Sequence, residues 1–322
     1  MEQPLLKVDN LIKHFTIKRG FPKSVSYTVK AVDDVSFSIS KQEAFGLAGE
    51  SGCGKSTVGR CVLRLIEPDA GRISLGEMDV RGLGANDLRT MRQKMQIIFQ
   101  DPYSSLNPRR TVGQTLEEPM RVFNLYPKND IRTVTVELLE NVGLSANAID
   151  KYPHEFSGGQ RQRIGIARAL LFNPELIVAD EAVSALDVSI QMQILQLLQK
   201  LKEKRSLSYL FISHDLAVVR FFCQRVAIMY LGKFVELGSV AQIFDDPLHP
   251  YTVTLRNASP IPDPSINQEF AQLKGEVPSP ISPPKGCHFH PRCLKAMDIC
   301  SREYPSWTDL GEGRAVACHL YS

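Results

Sequence analysis

No run of about 18 or more apolar residues interrupts the 322-residue chain, which argues against a membrane-spanning helix. The opening stretch MEQPLLKVDN lacks the basic-then-apolar pattern of a secretory leader. The expectation is a protein that folds in the cytosol and stays there, so that any membrane association comes through a protein partner. Net charge is also nearly absent: 38 Lys and Arg against 35 Asp and Glu leave +3, too little for the single-sign field that nucleic-acid binders use. Nor is there an internal repeat at solenoid periods, which excludes an array.

What is present is an ordinary globular composition, 43% hydrophobic and 23% charged, in a chain long enough for about two domains and a sizeable core. From Leu5 to about Asp246 short apolar or β-branched runs alternate with longer helical patterns. AVDDVSFSIS (31–40) alternates with period two, and EAFGLAG (43–49), MQIIFQ (95–100), LIVAD (176–180) and YLFIS (209–213) read as buried strands. Strands separated by helices imply a largely parallel sheet with helices on its faces. Between Gln100 and Ser157 strand signals fade and patterns such as VTVELLENVGL (134–144) take over, a helical insertion. After DDPLHPYT (245–252) seven prolines fall between Pro260 and Pro284. Proline fixes φ and removes a donor, so this stretch reads as an extended connector to a separate, small, cysteine-rich end.

GESGCGKST contains G-x-x-x-x-G-K-[ST] between a strand and the helical pattern VGRCVLRLI. Its residues Gly49, Glu50, Ser51, Gly52, Cys53, Gly54, Lys55, Ser56 and Thr57 form a candidate ATP-binding loop. The glycines let the backbone wrap closely round phosphate oxygens, and the helix start adds partial positive charge. Lys55 then reaches the β and γ phosphates and the Ser56 hydroxyl sits on Mg²⁺. LIVADE (176–181) delivers Asp180 and Glu181 at the end of a buried strand, where Asp180 suits the Mg²⁺ shell and Glu181 suits polarising the attacking water. In FSGGQRQRIGIARAL (156–170), Ser157, Gly158, Gly159 and Gln160 open a helix whose free amides again face an anion.

At FSGGQ the chain resembles the ATP-binding cassette family, whose signature is LSGGQ. The resemblance covers essentially the whole chain and implies an α/β P-loop NTPase: a RecA-like parallel core, an antiparallel β part and a helical subdomain at about 101–165 within a nucleotide-binding domain of residues 1–246. A C-terminal transporter domain, 247–322, with a proline-rich connector and four cysteines then follows. It implies further roles: Phe15 stacking on adenine, Gln100 sensing Mg²⁺, Asp187 of SALD crossing a dimer interface, and His214 contacting the γ phosphate. Glu181, His214 and Gln100 are then the catalytic set, and Ser56, Gln100 and Asp180 the Mg²⁺ set. Two cassettes pair head to tail in this family, the P-loop of one facing the Ser157–Gln160 signature of the other, so hydrolysis requires a dimer. One departure is Ala182, where the family usually has proline; alanine is less rigid and restores an amide donor next to Glu181.

QDPYSSLNPR (100–109), KYPHEFSGGQ (151–160), DDPLHPYT and GEVPSPISPPKGC (275–287) are similar to the ATPase subunits of bacterial oligopeptide and dipeptide importers, nearest to the F-type of the paired subunits. That resemblance implies two transmembrane permease subunits, a second, paralogous ATPase subunit and an extracytoplasmic binding protein as partners, with residues near Tyr103 to Arg109 receiving the permeases. It places the protein on the cytoplasmic face of the bacterial inner membrane. Nickel, glutathione and oligosaccharide importers are the alternatives to peptide. A soluble DNA-repair or translation ATPase, or a nucleotide-regulated metal sensor, is the alternative class, disfavoured by a single cassette, a short insertion and near-neutral charge.

Four of the seven cysteines fall in the last 36 residues, as Cys287, Cys293, Cys300 and Cys318. A reducing cytosol disfavours disulfides. The spacing C-x5-C-x6-C-x17-C lacks the close pairs typical of structural zinc, whereas a [4Fe–4S] cage tolerates wider spacing, and the importer ATPases resembled here carry such a motif. Zinc stays second, with His288 and His290 as surface or supporting residues, and buried free thiols third. Cys53 reads as small filler, and Cys61 and Cys223 belong to no site.

Overall fold

The structure is a computed structural model that describes residues 3–19, 25–101, 103, 105–258 and 276–322, with backbone alone at 18, 19 and 25. The first part of the proline-rich connector, with Pro260, Pro262 and Pro264, lies outside the described residues, as do Pro102 and Ser104 of the QDPYSSLNPR segment. The chain falls into two compact units, residues 1–40, 44–82 and 211–322 in one and 41–43 and 83–210 in the other.

The first unit carries the strands β1 (Leu6–Arg19), β2 (Val25–Ile39), β3 (Ala44–Ala48), β4 (Ala70–Leu75) and β5 (Met78–Asp79). An antiparallel sheet runs in the order β2-β1-β4-β5. The period-two pattern of 31–40 is realised in β2: Val35, Phe37 and Ile39 are buried while Asp34 and Ser36 are exposed. All five residues of β3 are buried, and Phe45 stacks on Phe37 with ring centroids 5.2 Å apart.

The second unit carries β6 (Met95–Ile98) and β7 (Leu176–Asp180), paired in parallel. Its helices are α2 (Ala85–Lys94), α3 (Val112–Val122), α4 (Ile131–Asn141), α5 (Gly158–Leu170) and α6 (Val188–Arg205), the first unit's α1 (Lys55–Val62) preceding them in the chain. Between 101 and 157 the described residues form no strand, in keeping with the helical insertion. Strand β8 (Ser208–Ser213) runs from one unit into the other along the chain, every residue buried.

The remaining elements return to the first unit: α7 (Leu216–Phe222), β9 (Arg225–Tyr230), β10 (Lys233–Ser239), α8 (Val240–Asp245) and α9 (Pro250–Ala258). Strand β9 lies parallel to β3 and antiparallel to β10. The sequence reading set the cysteine-rich end apart as a small unit of its own. The described tail instead belongs to the first unit, because its two short strands, β11 (Thr308–Asp309) and β12 (Ala315–Val316), extend this sheet. Glu236 and Leu237 of β10 pair with Val316 and Ala315, and β11 closes on β12. Among the described residues no helix is long and apolar enough to cross a membrane.

Candidate nucleotide site

In the first unit, three glycines shape the loop between β3 and α1. Gly49, Gly52 and Gly54 have φ of 151°, 80° and 112°, values that other residues rarely adopt. A Cβ at Gly49 would strike the Met229 carbonyl and one at Gly54 the Ala31 carbonyl, whereas one at Gly52 would meet nothing within 4 Å. Two glycines are thus demanded by close packing, and the third leaves a side-chain-free rim beside open space. Lys55 opens α1 and is only 3% exposed. Its Nζ donates to the carbonyls of Gly49 at 2.8 Å and Glu50 at 3.0 Å, so the loop holds its own cation at the centre of its curve. This is a cradle with the shape and sign for phosphate.

Cys53 is buried, and burial pushes its thiol up, which suits the filler reading. Cys61 and Cys223 are buried as well, the Cys61 thiol pushed up to about 12 by burial. Phe15 sits half-buried on β1 with the Lys13 ammonium 5.4 Å from its ring centre. His214 follows β8 and is exposed, just before Asp215, whose Oδ1 caps α7 by accepting from the Ala217 amide at 2.8 Å.

In the second unit, Asp180 is buried at the end of β7. Glu181 then turns out of the strand with φ 48°, a left-handed conformation that costs about 1 kcal/mol or more in a non-glycine residue. The following turn holds it, since the Glu181 carbonyl accepts from the Ser184 amide at 3.1 Å and from Ser184 Oγ at 3.0 Å. Gln100 Nε2 donates to Glu181 Oε2 at 2.9 Å, so two residues predicted separately meet directly. Ala182 is buried. Of the three oxygen donors expected for Mg²⁺, Gln100 and Asp180 belong to this unit and Ser56 to the first. The set is hard and oxygen-only, as that ion prefers.

Ser157 caps α5 reciprocally, its Oγ accepting from the Gln160 amide and its own amide donating to Gln160 Oε1 at 3.0 Å. The sequence reading assigned both glycines of the signature to anion contact. Gly159 is also a packing residue: a Cβ there would strike the Ile190 side chain of α6. Asp187 stands at the start of α6, exposed and with no side-chain cap bond.

Three α5 residues went unread in the sequence. Arg161 donates from Nε to the Pro153 carbonyl at 2.6 Å and stacks on the Tyr103 ring at 3.9 Å. Gln162 reaches the Phe99 carbonyl, and Arg168 the Ser105 carbonyl. Helix α5 is thereby tied to Phe99, Tyr103 and Ser105, with Tyr103 left 63% exposed. Their signal was polar residues on the buried side of an amphipathic helix.

In the tail, Cys287, Cys293, Cys300 and Cys318 line one small cavity with His290. Cys300 and Cys318 are buried, and the other two are partly so. Burial pushes the Cys287 thiol up to about 11 and raises Cys293 and Cys318. Among the described residues, no three His, Cys, Asp or Glu side chains stand in an arrangement that could hold a metal ion. His288 is buried rather than superficial, edge-on to Tyr304 at 5.2 Å, because it follows Cys287 into the unit instead of facing solvent. His290 Nδ1 lies 2.8 Å from the Cys287 carbonyl.

Known proteins agree with this architecture. A family model described as ABC transporter matches residues 32–184, and one described as oligopeptide/dipeptide transporter, C-terminal region, matches 235–300. A probable peptide ABC transporter ATP-binding protein of Sinorhizobium fredii is 51% identical over 99% of this chain and 91% of its own length. The oligopeptide transport ATP-binding protein AppF of Bacillus subtilis is 49% identical over 100% of this chain and 98% of its own. Among solved structures, the ATP-binding cassette MJ0796, a dimer in a post-hydrolysis state bound to ADP and Pi, matches with a TM-score of 0.64 and 29% identity, covering 73% of this chain and 98% of that one. The chain therefore belongs to the ATP-binding subunits of ABC transporters, P-loop ATPases that drive transport, in the branch defined by the oligopeptide/dipeptide transporter C-terminal region.

Proposed function

We propose that this subunit powers peptide import by ATP-driven closure of a cassette pair on the cytoplasmic face of a bacterial inner membrane, working with two permeases, a paralogous ATPase subunit and an extracytoplasmic binding protein. The observation that carries the peptide reading is the full-length similarity to peptide transporter subunits, C-terminal region included. In this reading residues 1–246 are the cassette, the helical segment at about 101–165 receives the permeases near Tyr103 to Arg109, and 247–322 is the transporter-specific region.

Gly49–Thr57 wraps the ATP phosphates, Lys55 turns from the loop carbonyls to the β and γ oxygens, and Phe15 stacks on the base. Mg²⁺, when bound, neutralises phosphate charge; Ser56, Asp180 and Gln100 would hold it. Glu181 orients and polarises the attacking water, its carboxylate fixed by the Gln100 amide and its backbone by the Ser184 turn. His214 contacts the γ phosphate. Because phosphoryl transfer has a loose transition state, these residues act mostly by position and charge. Ser157, Gly158, Gly159 and Gln160 face the partner cassette's nucleotide, and the exposed Asp187 crosses the interface.

The four thiolates would hold a [4Fe–4S] cluster. The observation behind this reading is that all four cysteines line one cavity. Iron, sulfide and zinc analysis after anaerobic purification tests this, and zinc without iron would sink it.

The catalytic assignment is tested by Glu181→Gln, which keeps the acceptor for Gln100 and removes the base. With ATP, by light scattering, the variant should accumulate a cassette dimer, with the paralogous subunit present if the pair is mixed. No more dimer than wild type would refute Glu181 as the base. Peptide-stimulated ATPase activity in the reconstituted importer tests the cargo.

A further inference from the structure

Glu50 is the second residue of the P-loop, yet its partners come from the far end of the chain. Arg292 meets its carboxylate as a fork, Nη1 donating to Oε2 at 3.1 Å and Nη2 to Oε1 at 3.2 Å. Nη1 also donates to the Tyr230 hydroxyl at 3.4 Å, and the Glu50 amide donates to the Tyr251 hydroxyl at 2.9 Å. On its other side, the Glu50 carbonyl accepts from Lys55 Nζ at 3.0 Å. Glu50 is thus a junction between Arg292 and the phosphate-binding lysine.

Arg292 is only 5% exposed, and its backbone is fixed by the cysteine segment. It ends a 3₁₀ turn, His290–Arg292, in which His290 donates to the Cys287 carbonyl at 3.0 Å and Cys293 to the His290 carbonyl at 3.2 Å. Cys287 is tied in turn to the Cys300 carbonyl at 2.8 Å. The Phe289 ring packs 5.4 Å from both Tyr230 and Tyr251, the residues that share the junction.

We propose that Arg292 is a positioning residue for the nucleotide site: by gripping Glu50 it sets the entry of the P-loop and the seat of Lys55, so ATP affinity depends on the cysteine-bearing segment. The proposal rests on the reading of Gly49–Thr57 as the ATP-binding loop. A bidentate guanidinium–carboxylate pair fixes direction as well as distance, and a loop that must present several amides to phosphate at once loses affinity when its entry is free to move. Removing the arginine also strands a half-buried carboxylate beside the incoming phosphates.

The test is MgATP affinity of the full-length chain, by calorimetry, in a double-mutant cycle. Arg292→Ala should weaken binding about 10-fold, Glu50→Gln should weaken it comparably, and the double variant should be no weaker than the worse single. Arg292→Lys, which keeps the charge without the fork, should recover part of the loss, and the loss should fall on KM for ATP more than on kcat. Wild-type affinity in Arg292→Ala, or losses that simply add in the double variant, would overturn the proposal. If Arg292→Ala fails to fold, Glu50→Gln decides: weakened binding supports the proposal, wild-type binding overturns it. Lys55→Ala separates the two levels. If it binds ATP as wild type does, the P-loop reading itself fails; if it loses ATP while Arg292→Ala keeps it, only the positioning role falls.

Discussion

The P-loop and the cysteine-rich tail are both irregular backbone in the same compact unit, yet they are made rigid in opposite ways. The loop is fixed by backbone sterics: Gly49 and Gly54 hold positive φ where carbonyls of Met229 and Ala31 leave no room for a Cβ. The tail has little regular structure, two 3₁₀ turns and two strands of two residues each. Side chains that reach partners elsewhere in the chain hold it. Phe289 packs against both Tyr230 and Tyr251, Arg292 grips Glu50, and Arg314 reaches Asp246 at 3.1 Å and the fully buried Glu236 at 3.7 Å. The Tyr321 hydroxyl adds a bond to the Leu248 carbonyl at 3.2 Å. Rigidity from sterics travels with the residue type, whereas rigidity from anchors exists only once the partners have met.

The comparison breaks most visibly at Phe289. Phe289→Ala should cost about 4 kcal/mol, because it empties a buried ring site shared by three aromatic neighbours. Chemical denaturation of the full chain would measure it, and a loss under about 1 kcal/mol would mean the tail is held by its ion pairs instead. Gly54→Ala should be smaller in stability, roughly 2–3 kcal/mol from φ strain and the Ala31 contact. It should nonetheless abolish MgATP binding in the same calorimetric assay, since the damage is confined to the loop. Retained binding would show that the loop can absorb a Cβ.

The smallest effect is a pH dependence. Burial depresses His249 to about 3, and its Nδ1 accepts from the Tyr251 amide at 3.0 Å, so the ring is neutral in the fold. With the folded value below the unfolded one near 6.5, the unfolded chain binds more protons between those limits. The contribution of His249 is therefore complete above about pH 6.5 and is lost as pH falls toward 3. His249→Asn, which keeps an acceptor and cannot charge, should flatten the fall in melting temperature over that range. An unchanged slope would assign the acid sensitivity to carboxylates.

Much of the candidate nucleotide site was legible because its signals are local. The alternation in 31–40, the all-apolar run 176–179 and the glycine spacing of 49–54 are each properties of a few adjacent residues, and each became the element expected. The direct bond from Gln100 to Glu181 was not legible, since 81 positions separate the two. Arg161, Gln162 and Arg168 were missed because a helix pattern gives the face but not what lies under it. Glu236 did leave a trace, as one acid within the apolar strand KFVELGS; its partners Leu248, His249 and Arg314 left none.

By itself, then, the sequence determined the chemistry on offer: a glycine-rich loop carrying a lysine, two carboxylates at a strand end, a capped helix and four thiols. Positive φ, strand period and capping are set within a few residues, and those few residues are enough to read them. Tertiary structure alone decided that the tail would join the β10 edge rather than stand apart, and that Arg292 would meet Glu50 across 242 residues of chain. Edge pairing and a buried ion pair depend on which surfaces are brought together, a property of the packed chain and not of any segment of it.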